Sequence, residues 1–142
     1  MRKYSLSQHP AEHYLKYFRP DALVFVPSRF DDRSGPPRVR PERYKCRVGE
    51  DELAFDLYIG SHEGAVVPDL VEVSREVLAH IVALDSRASD IDPNDKSEAH
   101  LAYVEITREL IHFRYYATTF NSEWGTGFKR VGPGEFEFLG GF

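Results

Sequence analysis

The sequence predicts an α+β fold: an antiparallel sheet of five or six strands with one main helix packed on a face, in two layers, plus a short N-terminal helix. Three observations lead there. Residues 53–59 and 110–118 alternate apolar and polar side chains, the two-residue period of half-buried strands. Between them, Leu70, Val73, Val77, Ile81 and Leu84 recur every three or four residues, the period of an amphipathic helix. Turn residues such as Gly49 and Gly132-Pro133-Gly134 separate the strand candidates. A sheet and a helix with one apolar side each bury those sides against one another, hence two layers.

The elements follow in order. Pro10 suits the first position of a helix over 10–19, where its missing N–H costs nothing, and Pro20 stops it. Leu15 and Phe18, with Tyr14 beside them, form its apolar side. Residues 22–26 form a short strand closed by Pro27. The stretch from Ser28 to Pro41, with Gly35, Pro36 and Pro37 among four arginines, reads as an extended loop. Arg43 to Val48 and Leu53 to Ile59 flank a hairpin turn at Gly49-Glu50-Asp51. Leu53, Phe55, Leu57 and Ile59 face the core, with Ala54, Asp56 and Tyr58 opposite. A loop, Gly60 to Gly64, precedes a helix that Pro68 opens and that runs to about Ser86. Val71, Leu78 and Val82 widen its apolar stripe, and Asp69, Glu72, Glu76 and His80 make its wet side. After the polar connection Ser89 to Glu98, His100–Ile106 turns at Thr107-Arg108-Glu109 into Leu110–Thr118. Ile111, Phe113, Tyr115 and Ala117 share one face; His112, Arg114, Tyr116 and Thr118 share the other. A strand through Trp124 and Phe128 ends near Val131, and Glu135–Phe138 is the last.

The 142 residues fit one domain: 1–42 as an N-terminal helix, short strand and Pro/Arg-rich loop, and 43–142 as a hairpin–helix–meander core. Hydrophobic content of 42% with 13% aromatics belongs to a globular chain. No apolar run reaches the roughly 18 residues of a membrane span. Arg2 and Lys3 are followed by no apolar stretch, so no signal peptide is expected. Cys46 is the single cysteine, which excludes an intramolecular disulfide and every multi-cysteine metal motif. These features lead to an expectation of a cytoplasmic protein without membrane partners.

Charge is spread unevenly. Residues 1–49 carry eleven Lys/Arg against five Asp/Glu, net +6. Residues 50–98 carry three against thirteen, net −10, and residues 99–142 carry four against five, net −1. A charged field acts on encounter and partner choice more than on fold. The split therefore points to a class of partner.

No motif names a reaction. His9-Pro10-Ala11-Glu12-His13 matches H-x-x-E-H, a zinc pattern that needs both imidazoles on one helix face. Pro10 makes His9 a cap residue, and the segment reads as a solvated helix start; no metal and no cofactor is expected. Lys45 and Arg47 point to the strand face opposite Cys46, which reads as a buried structural thiol. Gly125-Thr126-Gly127 is too short to cradle a phosphate and reads as a bend in a strand. Asp90-Ile91-Asp92-Pro93-Asn94-Asp95 lacks the glycine and closing glutamate of a calcium loop.

Two sets of residues support rival functions. Asp56, His62, Glu63, His100, His112 and Arg114 are candidates for an acid–base or ligand site on the exposed sheet face, His62 foremost because it follows a strand in a Gly-flanked loop. Arg29, Arg33, Arg38, Arg40, Arg43, Lys45 and Arg47 are candidates for phosphate contacts. Only Phe30 and Tyr44 interleave with them, and the chain has a sequence pI near 5.7, so nucleic acid is not the expected partner. The basic segment lying against the acidic one is the competing explanation.

The segments Leu101–Ile106 (LAYVEI), Ile111–Thr119 (IHFRYYATT) and Asn121–Gly125 (NSEWG) resemble the C-terminal hairpin of small bacterial α+β proteins. Some of these are encoded beside polymorphic or contact-delivered toxins and act as immunity proteins. The resemblance covers residues 43–131. It implies a non-enzymatic, acidic, cytoplasmic protein that neutralises a toxin domain, often a basic nuclease, by direct contact. Nucleases are basic because they bind phosphate backbones. On this reading His62, Glu63, Asp69, Glu72 and Glu76 form the docking surface, and Tyr116 and Trp124 are candidate aromatic anchors. A homodimer through an edge strand is compatible with it.

Overall fold

The structure, a computed structural model, describes residues 2–31, 38–91, 98–117 and 122–141. In chain order the helices are α1 (Ala11–Leu15), α2 (Pro68–Ala79) and α3 (Ile81–Ala88). The strands are β1 (Val24–Val26), β2 (Arg29–Asp31), β3 (Arg38–Arg40), β4 (Arg43–Val48), β5 (Phe55–His62), β6 (Ala65–Val66), β7 (His100–Ile106), β8 (Ile111–Ala117), β9 (Ser122–Gly132) and β10 (Glu135–Gly141). The sheet order is β1-β4-β5-β7-β8-β9-β10, with β6 paired to the end of β5, and β2 and β3 form a separate two-stranded ribbon. The class is α+β, with a mostly antiparallel open sheet.

Three expectations about this sheet change. It has eight strands among the described residues rather than five or six. It is not wholly antiparallel, because β5 and β7 pair in parallel, Leu57 opposite Val104 and Ile59 opposite Ile106. The chain leaves the far end of β5, returns along the helices and enters β7 in the same direction, as a crossover requires. The extra strand β6 arises where a loop was expected. β5 continues to His62, and Glu63 and Gly64 turn the chain with φ of 52° and 77°. Two successive left-handed residues are what a tight two-residue hairpin needs.

The one main helix is two. α2 ends at Ala79, His80 adopts φ −115° and ψ 15°, and α3 starts at Ile81. His80 packs its ring 6.0 Å from Phe136 and lies against Gly134, so tertiary packing at the β9–β10 turn sets the break. The apolar stripe runs through it: Leu70, Val77, Leu78, Ile81, Leu84 and Ala88 are all buried. They meet Phe55, Leu57 and Ile59 of β5, Val104 and Ile106 of β7, and Phe113 and Tyr115 of β8 in one core. Each fully buried side chain of this size contributes about 1.5–3 kcal/mol.

The N-terminal segment belongs to the same core. Leu6, Tyr14 and Phe18 are buried there, and the Tyr14 hydroxyl donates to the Leu6 carbonyl at 2.5 Å. β1 pairs antiparallel with β4, Phe25 opposite Tyr44. Arg33, Pro36, Pro37, Asp92, Asp95, Thr118 and Asn121 lie outside the described residues, and with them parts of the arginine-rich, calcium-loop and NSEWG readings. Among the described residues, no helix is long and apolar enough to cross a membrane.

Candidate functional site

The expected docking residues divide between the two ends of the sheet. His62 and Glu63 stand at the far end of β5, with side chains 74% and 85% exposed and 3.7 Å apart. β6 leads from them directly into α2, so Asp69 in its first turn and Glu72 follow at that end, both exposed. Glu72 has an i,i+3 contact with Arg75 at 3.4 Å. Such a surface pair is weak and leaves the carboxylate available.

Glu76 is committed elsewhere. Arg130 Nε lies 3.1 Å from both its carboxylate oxygens, and the Gly134 N–H donates to it at 2.6 Å. Partial burial works against its charged form, but the Gly134 N–H, the Arg130 hydrogen bond and charge, and His80 together hold the carboxyl below its ordinary value. This residue fastens α2 to the β9–β10 hairpin.

The aromatic anchors lie apart from those acids. Tyr116 pairs with His100 in the β7–β8 register, at the end of the sheet opposite Ile106 and Ile111. Its ring stacks on His100 at 4.8 Å and 6°, and His100 stacks in turn on Tyr4 at 3.6 Å. Trp124 stacks on Tyr115 at 5.6 Å and packs, half-buried, against the core.

The rival acid–base set does not converge with His62 either. On the face away from the helices, Arg43 pairs with Glu105 at 3.0 Å and covers the Tyr58 ring at 4.0 Å. Tyr58 meets Tyr103 edge-on at 5.5 Å, and Tyr103 meets His112 at 5.8 Å. Asp56 pairs with Arg47 and Arg114 with Glu123. This face is a lattice of mutual contacts. Gly125 has a packing role within it: a Cβ there would come within 2.4 Å of His112 Nε2 and 3.3 Å of Arg114. The Gly125-Thr126-Gly127 segment, read from the sequence as a bend in a strand, lies inside β9, and the β9–β10 pairing shifts register beside it, between Phe138 and Gly140.

Part of the charge split is neutralised inside the molecule. Asp85, 1% exposed, accepts from Arg2 at 2.5 Å, from the Leu6 N–H at 3.2 Å and from the Tyr115 hydroxyl at 2.7 Å. Burial, then the neighbouring Asp85 charge, pushes the Tyr115 phenol well above its ordinary range. Lys3 reaches Glu98 at 3.9 Å, and the Tyr17 hydroxyl binds Glu50. Arg2 and Lys3 thus contact acids of the 50–98 segment. From the arginine-rich stretch, Arg47 reaches Asp56, whereas Arg43 pairs with Glu105, outside that segment.

A cleft of about 360 Å³ opens beside this junction. Lys3, Tyr4, His9 and His13 line one side; the turn Glu50 to Leu53 lines the other. His9 and His13 stack on each other at 3.9 Å and 17°. With the two planes stacked and nearly parallel, the in-plane lone pairs of the rings do not meet at one tetrahedral ion in this arrangement. Among the described residues, no group of three or more His, Cys, Asp or Glu is arranged to hold a metal. Desolvation, then the charges of His9 and Lys16, lowers the His13 pKa against the pull of Glu50. Asp51, with φ 53°, is one of two non-glycine residues with positive φ among the described residues, Glu63 being the other. Nothing in the sequence pattern brings Tyr4 and the two histidines to Glu50–Glu52; the folding back of the N-terminus does.

Cys46 is half-buried, and burial first, then Asp56, pushes its thiol up to about 11 against a hydrogen bond from the Arg19 backbone. It is protonated at neutral pH, as a structural thiol is.

No family model, curated protein or solved structure matches the chain.

Proposed function

We propose that this chain is a protein-binding module of the immunity type, which holds a basic toxin domain against Glu63, Asp69 and Glu72, with His62 at the rim. The observation that carries the reading is that three exposed acids gather where the β5–β6 hairpin runs into α2, with the exposed His62 and Arg75 beside them. Asp85, Asp56 and Glu76 are held by Arg2, Arg47 and Arg130. Glu63, Asp69 and Glu72 keep their charge outward at one end of the sheet. Glu63 adds a second support. Its φ of 52° puts it at the tip of a tight turn, where its side chain is 85% exposed.

Outward carboxylates on an ordered hairpin and helix accelerate encounter with a positively charged partner and fix its orientation. A toxin domain that acts on nucleic acid carries such a surface. Contact with it blocks the phosphate-binding groove without any chemistry, and such a partner is met in the cytoplasm. Co-expression with a growth-inhibiting basic protein encoded by a neighbouring reading frame tests this. The chain is expected to restore growth, and the Glu63→Lys/Glu72→Lys variant, correctly folded by circular dichroism, is expected to lose protection. Full protection by that variant contradicts the reading.

A further inference from the structure

The cleft at the opposite end of the sheet has its own chemistry. Its aromatic wall is fixed in place: Tyr4 stacks on His100 at 3.6 Å, and His100 is held between Tyr4 and Tyr116 and hydrogen-bonded to the Glu52 backbone. The facing turn supplies three carboxylates. Glu50 is engaged by the Tyr17 hydroxyl, while Asp51 and Glu52 are exposed and in no ion pair among the described residues. A ring face beside carboxylates is the environment that attracts an organic cation, through the ring quadrupole and through charge.

The residue that precedes Tyr4 in the chain already offers a cation to this ring. The chain's own Lys3 places its ammonium 5.7 Å from the centre of the Tyr4 ring. That side chain is 64% exposed, and its one ion pair among the described residues is with Glu98, at 3.9 Å. An ammonium thus already sits at the mouth, loosely held, where an external cation of the same kind fits. The volume of about 360 Å³ accommodates a group of guanidinium or alkylammonium size with its stem.

We propose that this cleft binds a guanidinium or alkylammonium group, with the Tyr4 ring against the cation and the Asp51 and Glu52 carboxylates beside it. The site does not depend on the docking surface at Glu63. Its ligand is either a free small cation or an arginine or lysine presented by a polypeptide, since both offer the same group.

Nuclear magnetic resonance titration of the full chain with agmatine tests it, with pentylurea as a neutral analogue of similar shape. Saturable shifts are expected at Tyr4, His9, His13, Asp51 and Glu52, and pentylurea is expected to leave them unmoved. Asp51→Asn with Glu52→Gln should weaken agmatine by about tenfold or more; asparagine keeps the left-handed backbone at 51 accessible. Lys3→Ala should tighten it, because the internal competitor is gone. Acetyl-Gly-Arg-Gly-amide separates the sources: binding equal to agmatine admits an arginine on a protein, and binding of agmatine alone confines the site to free cations. Glu63→Lys/Glu72→Lys should not alter agmatine affinity, so failure of the docking reading leaves this site standing. Equal binding of pentylurea, shifts centred on Glu63 and Asp69, or an unchanged affinity in the Asp51→Asn/Glu52→Gln variant would overturn the proposal.

Discussion

The Arg2 guanidinium lies 2.5 Å from the Asp85 carboxylate, and the two are 11% and 1% exposed. Through this contact the start of the chain is fastened to α3, with the Tyr115 hydroxyl and the Leu6 N–H completing the carboxylate's shell. Removing one partner of a buried pair leaves the other charge without compensation. Arg2→Ala should therefore lower the unfolding free energy by about 3–5 kcal/mol. Urea denaturation monitored by Trp124 fluorescence measures it; a loss within experimental error would show that the pair does not hold the N-terminus.

Glu76 carries a smaller contact of the same kind. Its pair with Arg130 is partly exposed, so Glu76→Gln should cost only about 1 kcal/mol. Its carboxyl titrates below the ordinary 4.5 in the folded chain. The stabilisation is accordingly present above that value and is lost as pH falls through the lowered one. Denaturation of the wild type and Glu76→Gln between acid and neutral pH should show the difference shrinking on the acid side.

Glu63 makes stability and function oppose each other. A non-glycine residue in the left-handed region carries about 1 kcal/mol of strain. Glu63→Gly should relieve it and raise the melting temperature, while slowing association with the basic partner. Loss of stability in that variant would mean that the side chain holds the turn together.

Gly125 is required by contact rather than by dihedral angle. In Gly125→Ala the new methyl group meets His112 Nε2, and the ring must turn away, at a cost of about 1–3 kcal/mol. Chemical-shift changes at the His112 ring and a lower denaturation midpoint are the expected outcomes.

The periodic segments were legible in the sequence because their burial is one-sided. The alternation of Phe55, Leu57 and Ile59, and of Ile111, Phe113 and Tyr115, marked the strand faces that the core takes. The stripe from Leu70 to Leu84 marked the helix side, but not its break, because His80 is moved by Phe136 and Gly134, more than fifty residues away. The parallel pairing of β5 with β7 was equally hidden, since strand direction depends on where the crossover returns. The exposure of Glu63 followed from its place beside Gly64. The commitment of Glu76 did not, because the same helical period suits a free carboxylate and one held by Arg130. The cleft was out of reach for a further reason: Tyr4, His13 and Glu52 meet only after the N-terminus packs on α3.

The central claim is that Glu63, Asp69 and Glu72 steer a basic partner. Stopped-flow association with the basic protein whose toxicity the chain suppresses, at low and high salt, tests it most directly. For Glu63→Lys/Glu72→Lys the account predicts an association rate about tenfold or more slower at low salt, with a flattened salt dependence. Wild-type rates and an unchanged salt dependence in that variant would contradict it.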